Sequence, residues 1–326
     1  MHLIQKIFAL VAFSGLVISC NNDTAESNQI QNNSKALSRT ATPKRYLFDA
    51  TKAQTAGNAD WVICENSSGT PLRYPSPAQT SITTSTPETY WRGGISAWGV
   101  ALAKEGHYVE TLAPGAAITY GSTTNAQDLS KFDVYVIDEP NTAFTAAEKT
   151  AIINFVKNGG GLFLISDHNN SDRNNDGKDS PMIINDLFTN NSVQANPFGL
   201  AVELTNYSET SSNVLNDATN TILNGMAGAV TQLKYSAGAS IKVTTSANSS
   251  AKGLIWKTGL SRTSTTGIMA ASATYFNGRV FLLADSSPAD DGTGNPSDTL
   301  YAGWTEVGGN HARLHLNASY WLAKLQ

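Results

Sequence analysis

Four acidic residues follow apolar runs that predict β-strands, and their side chains are the first candidates for chemistry: Asp49, Asp138, Asp167 and Asp285. In a parallel sheet the carboxyl ends of the strands lie along one edge, about 4.8 Å apart, so several of these carboxylates are expected to meet. Crowded carboxylates take up protons or hold a cation, and an extracytoplasmic site at neutral pH favours the cation. The pattern therefore predicts a divalent metal site, although each acid alone could instead cap a helix or bind loop amides.

Two groups of histidines extend this predicted site. His168 follows Asp167 directly, so its imidazole can be a metal ligand or a general base, and we predict that this pair is catalytic. His311 and His315 stand one turn apart at the start of the last predicted helix. We include His311 among the predicted metal ligands; the alternative is that both side chains pack in the core. A bound ion would polarise the scissile group and lower the pKa of its water toward about 7.

A second motif predicts calcium. The pattern D-x-N-x-D-G, which begins an EF-hand calcium loop, is formed by Asp172, Asn174, Asp176 and Gly177. Its twelfth position is Ile183, where a bidentate Glu would be expected, so a complete EF-hand is not predicted. Three interpretations stay open. The loop holds a structural calcium that Asp179 or Asp186 completes, it is a solvated turn, or it binds a catalytic metal.

The elements around these residues predict an α/β fold. Residues 162–165 are an unbroken apolar run after three glycines, which is typical of a strand buried on both faces of a parallel sheet. A strand at 132–137, a helix capped by Thr145 with Glu148 three residues later, and the strand at 162–165 make a βαβ unit. Residues 200–278 contain further β-type runs, which either extend the sheet or form a small antiparallel addition.

The N-terminus predicts export and a lipid anchor. Residues 1–19 have the basic start and the short apolar run of a signal peptide, and residues 17–20, VISC, resemble the lipobox of bacterial lipoproteins. The resemblance implies cleavage before Cys20 and acylation of its thiol, for example by palmitate; the alternative is a plain signal peptide. Residues 20–43 predict a disordered tether, and residues 44–326 a single α/β domain. The expected location is extracytoplasmic, lipid-anchored to the bacterial cell membrane or outer membrane.

Charge and motif content exclude several classes of function. The net charge of −4 and the 15% of charged residues do not suit an electrostatic nucleic-acid binder. The sequence has no Walker loop, no G-x-S-x-G elbow and no H-E-x-x-H motif. We therefore expect no nucleic-acid partner and no nucleotide cofactor.

Residues 45–326 resemble the class I glutamine amidotransferase-like superfamily, and within it the trehalose-utilisation-type and gliding-protein-type members that lack the nucleophilic cysteine. The resemblance rests on two segments, FDVYVIDEPNTAFTAAEKTAIINFVKNGGGLFLISDH and ATYFNGRVFLLADSSP. It implies a three-layer sandwich with a mostly parallel, flavodoxin-like sheet and long loop insertions. The family's cysteine corresponds to the Asp167-His168 corner, which removes the case for glutamine hydrolysis.

These features predict a surface-anchored, metal-dependent hydrolase that acts on an extracellular polymer or its fragments, such as a glycan. Two alternatives stay open. One is a lipoprotein that binds a glycan or a protein without turnover, through loop aromatics such as Trp61, Tyr301 and Trp304. The other is a glycosidase that uses a pair of carboxyl groups and no metal.

Overall fold

The computed structural model describes residues 42–53, 59–294 and 301–326. The predicted signal peptide, Cys20 and almost all of the predicted tether lie outside these residues. No helix within the described ranges is long and apolar enough to cross a membrane.

The described residues form twelve strands and four α-helices. The strands are β1 (Arg45–Asp49), β2 (Tyr108–Leu112), β3 (Val134–Asp138), β4 (Gly161–Ile165), β5 (Leu200–Ser211), β6 (Asn213–Val214), β7 (Asn224–Gly225), β8 (Gly228–Ala229), β9 (Leu233–Val243), β10 (Lys252–Trp256), β11 (Ile268–Tyr275) and β12 (Gly278–Leu283). The helices are α1 (Ser96–Lys104), α2 (Ala146–Lys157), α3 (Ser180–Thr189) and α4 (His311–Leu322).

Five parallel strands form the centre of one mixed sheet. Their order is β2-β1-β3-β4-β12, which is the flavodoxin-like order, and each neighbouring pair is parallel. Every residue of β3 and β4 is buried, as expected for strands that helices cover on both faces. The predicted α/β class and the mostly parallel sheet are confirmed.

The long segment between β4 and β12 continues the same sheet with antiparallel strands. Beyond β12 the order is β11, β10 and β6, while β9 pairs with β11 and with β5. Residues 200–278 therefore form antiparallel strands that extend the main sheet. The two alternatives left open by the sequence, an extended sheet and an antiparallel addition, are thus combined in one arrangement.

The βαβ unit that the sequence predicts is present. Thr145 Oγ1 accepts the N–H of Glu148 at 3.3 Å, and the Glu148 carboxylate accepts the N–H of Thr145 at 2.7 Å, which is the predicted capping box of α2. At the start of β4, a Cβ on Gly161 would lie 2.6 Å from the carbonyl oxygen of Leu322. Glycine therefore lets the end of α4 approach the sheet closely.

The core under the candidate site is aromatic. Trp98 of α1 meets the ring of Phe163 on β4 at a centroid distance of 4.6 Å, and that of Phe48 on β1 at 5.2 Å. The Trp98 indole N–H donates to Ser319 Oγ of α4 at 3.0 Å. Helices α1 and α4 thus pack over the centre of the sheet and are joined to each other by this hydrogen bond.

Candidate active site

Three of the four predicted acids meet at the carboxyl edge of the sheet. Ile165 pairs with Asp138 on one side and with Leu283 on the other, so β3, β4 and β12 end level with one another. Asp138, Asp167 and Asp285 are all buried there, and the charge of Asp285 raises the pKa of both other carboxyls. The carboxyl ends of the parallel strands therefore bring these three side chains together.

Asp138 is the most confined of the three. Neither of its carboxyl oxygens has a hydrogen-bond partner among the described residues. Burial raises the pKa of Asp138 well above its usual range, and the charges of Glu139, Asp290 and Asp285 raise it further. These surroundings favour the protonated form of Asp138.

Asp285 is held by the backbone of two loops. Its oxygens accept the N–H of Ser236 at 2.6 Å and the N–H of Ser287 at 2.9 Å. Burial raises the pKa of Asp285 to about 7, although these two hydrogen bonds act in the opposite direction. The group is therefore close to half-protonated at neutral pH.

Asp167 and His168 form a dyad at the surface end of this group. Asp167 Oδ2 lies 3.6 Å from His168 Nε2, and the imidazole is partly exposed. Burial raises the pKa of Asp167 well above its usual range, and the charges of Glu139 and Asp285 raise it further. His168 Nδ1 lies 2.7 Å from the carbonyl oxygen of Asn169, which can only accept, and 3.2 Å from Asn206 Nδ2; the shorter contact favours a proton on Nδ1, which leaves the lone pair on Nε2.

Glu139 belongs to the same group, and the sequence reasoning missed it. Its N–H continues the sheet by donating to the carbonyl oxygen of Ile165 at 3.0 Å. Its carboxylate accepts from the Trp61 indole N–H and from Ser286 Oγ, and lies 3.5 Å from Arg173 Nε. Its position directly after Asp138 was the available signal. Arg173 comes from an irregular loop and gave none, and Trp61 was predicted only as a loop aromatic that could bind a glycan.

The dyad opens into a small polar cleft of about 80 Å³. Hydroxyl, carboxyl, imidazole and guanidinium groups line most of it: Trp61, Asp167, His168, Arg173, Ser236, Ala237, Ser286, Ser287 and Tyr301. A larger groove of about 300 Å³ adjoins the cleft and shares Ser236, Ser287 and Tyr301 with it.

The structure does not bring Asp49 into this group. Its oxygens accept the N–H of Thr51 at 3.1 Å, the hydroxyl of Thr51 at 2.7 Å and the N–H of Lys52 at 3.0 Å. Asp49 therefore satisfies loop amides, which is the alternative that the sequence left open for each acid.

His311 is not placed as a metal ligand either. Its Nδ1 lies 2.6 Å from the carbonyl oxygen of Gly303, and its Nε2 lies 3.3 Å from the N–H of Lys234, so both nitrogens have backbone partners. His315 is fully buried, stacked on Phe163 with a centroid distance of 5.6 Å, and burial lowers its pKa to about 3. Both histidines pack in the core, as the alternative interpretation has it.

The predicted divalent site does not fit this arrangement of donors. Among the residues that the structure describes, no three His, Cys, Asp or Glu side chains are placed to hold one metal ion. Asp49 and His311 are occupied by backbone groups, and Asp285 accepts two amides.

The predicted calcium loop is closed by its own backbone. Asp172 accepts the N–H of Gly177 at 2.8 Å, Asn174 that of Asp176 at 3.0 Å, and Asp176 that of Lys178 at 2.9 Å. Of the two acids expected to complete the site, Asp179 caps α3 at the N–H of Met182, and Asp186 pairs with Lys149 at 2.8 Å. These contacts match the solvated turn; calcium binding stays a prediction from the motif.

Comparison with known proteins gives similarity of structure only. No family model and no curated protein matches the chain. The mmIFT52 N-terminal domain is similar at 14% identity and a TM-score of 0.48, covering 85% of this chain and 97% of that one. A protein from Parabacteroides merdae described as ThuA-like is similar at 13% identity and a TM-score of 0.43, covering 87% and 91%. A cytoplasmic protein from Salmonella typhimurium, STM3548, is similar at 11% identity and a TM-score of 0.44, covering 86% and 98%.

Proposed function

We propose that the cleft hydrolyses glycosidic bonds of an extracellular polymer, with Asp167 as the general acid and His168 as the base. One observation carries this proposal. A buried carboxyl of raised pKa faces a polar cleft, 3.6 Å from an imidazole nitrogen whose lone pair is available.

Each proton in the proposed reaction has a place. Because burial and the charges of Glu139 and Asp285 favour the protonated form of Asp167, its carboxyl can give a proton to the leaving oxygen as the glycosidic bond breaks. After the leaving alcohol departs, a water molecule bonds to the anomeric carbon from the same face, because 3.6 Å is too short for an acid and a base on opposite faces of the ring, and the proton that the water loses goes to His168 Nε2. Transfer of that proton from His168 to Asp167, across the 3.6 Å between them, restores the starting state.

The charge around the cleft favours a glycoside over an ester. Asp167 interacts with Glu139 and Asp285, and Asp138 interacts with these two and with Asp290, while Arg173 supplies a positive charge beside Glu139. Asp138 and Asp167 favour their uncharged forms, so the negative charge near the cleft comes from Glu139 and the half-ionised Asp285, against the positive charge of Arg173. Glycoside cleavage passes through a positively charged, oxocarbenium-like transition state, whereas ester cleavage develops an oxyanion. A negative environment stabilises the first and destabilises the second.

Binding of a glycan without turnover is the second candidate. Tyr301 supports it, since its side chain is 41% exposed at the mouth of the cleft. Trp61 and Trp304 do not, because both are buried and their indole N–H groups donate to Glu139 and Glu88. These two tryptophans hold loops in place.

Assays on matched panels of glycosides and esters test the proposal. Asp167→Asn keeps the shape of the side chain and removes its acidic proton, so we expect glycoside turnover to fall by about 10²- to 10⁴-fold. Asp217→Asn, at an exposed turn, is the control and should keep full activity. Full activity of Asp167→Asn, or turnover of esters alone, would overturn the proposal. Glycan binding with no product from the wild-type protein would favour the second candidate.

We also propose that acylation of Cys20 anchors the mature protein to a bacterial membrane. The VISC segment after the apolar run supports this, and the polar residues 20–43 give the length that separates the cleft from the lipid surface. Expression of the full chain with radiolabelled palmitate should label the wild-type protein and not Cys20→Ser. Equal recovery of both proteins in the soluble fraction would contradict the anchor.

A further inference from the structure

We infer that the groove beside the cleft is a second subsite, which binds an uncharged sugar ring of the polymer stacked on Tyr301. This inference rests on the proposed function. The groove and the cleft share Ser236, Ser287 and Tyr301, so a chain that passes from one to the other stays in contact with the protein.

The two cavities differ in what they can hold. The cleft, of about 80 Å³, has room for little more than the linkage that is cleaved. The groove, of about 300 Å³, reaches the lower end of the range of about 300–1,000 Å³ that is usual for ligand sites. Most of the contact with the substrate is therefore made in the groove, next to the reacting bond.

Tyr301 is the exposed aromatic ring at the junction of the two cavities. Its side chain is 41% exposed, and its backbone N–H donates to Asp290 Oδ2 at 2.9 Å. Asp290 is buried and also accepts the N–H of Gly292 at 2.8 Å, so the carboxylate that binds the Tyr301 backbone is itself held in place. An amphipathic ring held in this way can pack against the C–H face of a pyranose while its hydroxyl stays in water.

The charges of the groove favour an uncharged ring. Lys234 forms an ion pair with Glu306, and both side chains are part-exposed, so they present donors and acceptors with no net charge between them. Both nitrogens of His311 have backbone partners, so its imidazole is not free to bind a charged group. Among the described lining residues, Lys234 is the one lysine or arginine, and its pairing with Glu306 leaves no free ammonium for a carboxylate or sulfate on the substrate.

Titration calorimetry on the Asp167→Asn protein tests the subsite without turnover. The probes are cellotriose, maltotriose, laminaritriose and trigalacturonate. We expect at least one neutral trisaccharide to bind, and trigalacturonate to bind more weakly than that trisaccharide. Adding Tyr301→Ala should weaken binding by about fivefold or more, and Tyr301→Phe, which keeps the ring, should preserve it. Tyr74→Ala is the matched control, since Tyr74 is exposed and stacks with Arg73 outside both cavities.

The outcomes separate the subsite from the hydrolase proposal. Unchanged affinity in Tyr301→Ala, binding of no neutral trisaccharide, or preference for trigalacturonate would each overturn the subsite, whatever the catalytic assays show. Binding that depends on Tyr301, in a wild-type protein that releases no product, would support the subsite and overturn the hydrolase.

Discussion

The hydroxyl of Ser286 donates to Oε2 of Glu139 across 3.0 Å, and this bond joins the loop after β12 to the end of β3. The Trp61 indole N–H donates to the same oxygen, and Arg173 lies 3.5 Å from the other. The negative charge of Glu139 is therefore held in one place, where it raises the pKa of Asp167 and of Asp285. A residue that does not line the cleft thus helps to set the protonation of those that act there.

Glu139→Gln should lower the pKa of Asp167 and of Asp285, because the charge that raises both is removed while the amide can still accept from Ser286. The general acid would then lose its proton at lower pH. We expect the alkaline limb of the kcat/KM profile to move to lower pH, with a parallel change in carboxyl ¹³C titrations. The matched control is Glu110→Gln, at the far edge of the sheet beside Arg73. An unmoved limb would exclude this role for Glu139.

Asp138→Asn should stabilise the protein more at about pH 8 than at about pH 5. In the wild-type protein the pKa of the buried Asp138 carboxyl is raised. As the pH rises, folding must therefore either bury a charged carboxylate or bind a proton from solution, and both lower the free energy of unfolding. The amide of asparagine does not titrate and avoids both costs. Thermal unfolding at the two pH values measures the difference. Asp186→Asn is the control with the opposite sign: hydrogen bonds from Lys149 and Asn190 outweigh burial and lower the pKa of Asp186, so its loss should destabilise at about pH 8.

Glu105→Gln should make stability less sensitive to pH above about 6.5. Burial raises the pKa of Glu105 from 4.5 to about 7, so its stabilising contribution is full at low pH and is lost as pH rises through 7. Tyr320 donates to Glu105, and His107 Nε2 lies 3.8 Å away.

The contribution of His107 to stability changes with pH in the opposite direction. Burial lowers its pKa from 6.5 to about 4, so its contribution grows with pH and is complete above 6.5. Unfolding free energies at about pH 6.5 and about pH 8, from urea titration, should therefore differ less in Glu105→Gln than in the wild-type protein. Equal differences in the two proteins would show that Glu105 does not titrate in this window.

Gly161→Ala should destabilise the fold by about 1–3 kcal/mol, because the added Cβ would lie 2.6 Å from the carbonyl oxygen of Leu322 and α4 would have to move away from β4. The clash is with backbone, which side-chain rotation cannot relieve. The midpoint of urea unfolding reports the loss. A midpoint equal to that of the wild-type protein would mean that α4 is held less closely than its contacts indicate.

The sheet was predictable because its strands are short apolar runs that end in a polar residue. The same pattern could not separate Asp49 from Asp138. Both follow a buried strand, but the amides of Thr51 and Lys52 turn back onto Asp49, whereas the oxygens of Asp138 have no partner among the described residues. Which of the two occurs depends on the path of the loop, and loop paths carry no periodicity.

Helical spacing likewise placed His311 and His315 on one face of α4 without showing what that face meets. The face packs against Trp98 and Phe163, and the backbone of Gly303 and Lys234 fills the remaining contacts of His311. The contacts of Arg173 and Trp61 with Glu139 could not be predicted, for a related reason. Each reaches Glu139 from an irregular segment distant in the chain.

Strands β4 and β12 are spatial neighbours, yet more than a hundred residues separate them in the chain. The polypeptide leaves the parallel core after Ile165 and rejoins it beside the point of departure, carrying Ser236 and Ala237 to one wall of the cleft on the way. Because the excursion leaves and rejoins the sheet at neighbouring strands, changes within it need not alter the order of the five core strands. Ligand preference can then diverge while the Asp167-His168 corner stays where β4 leaves it.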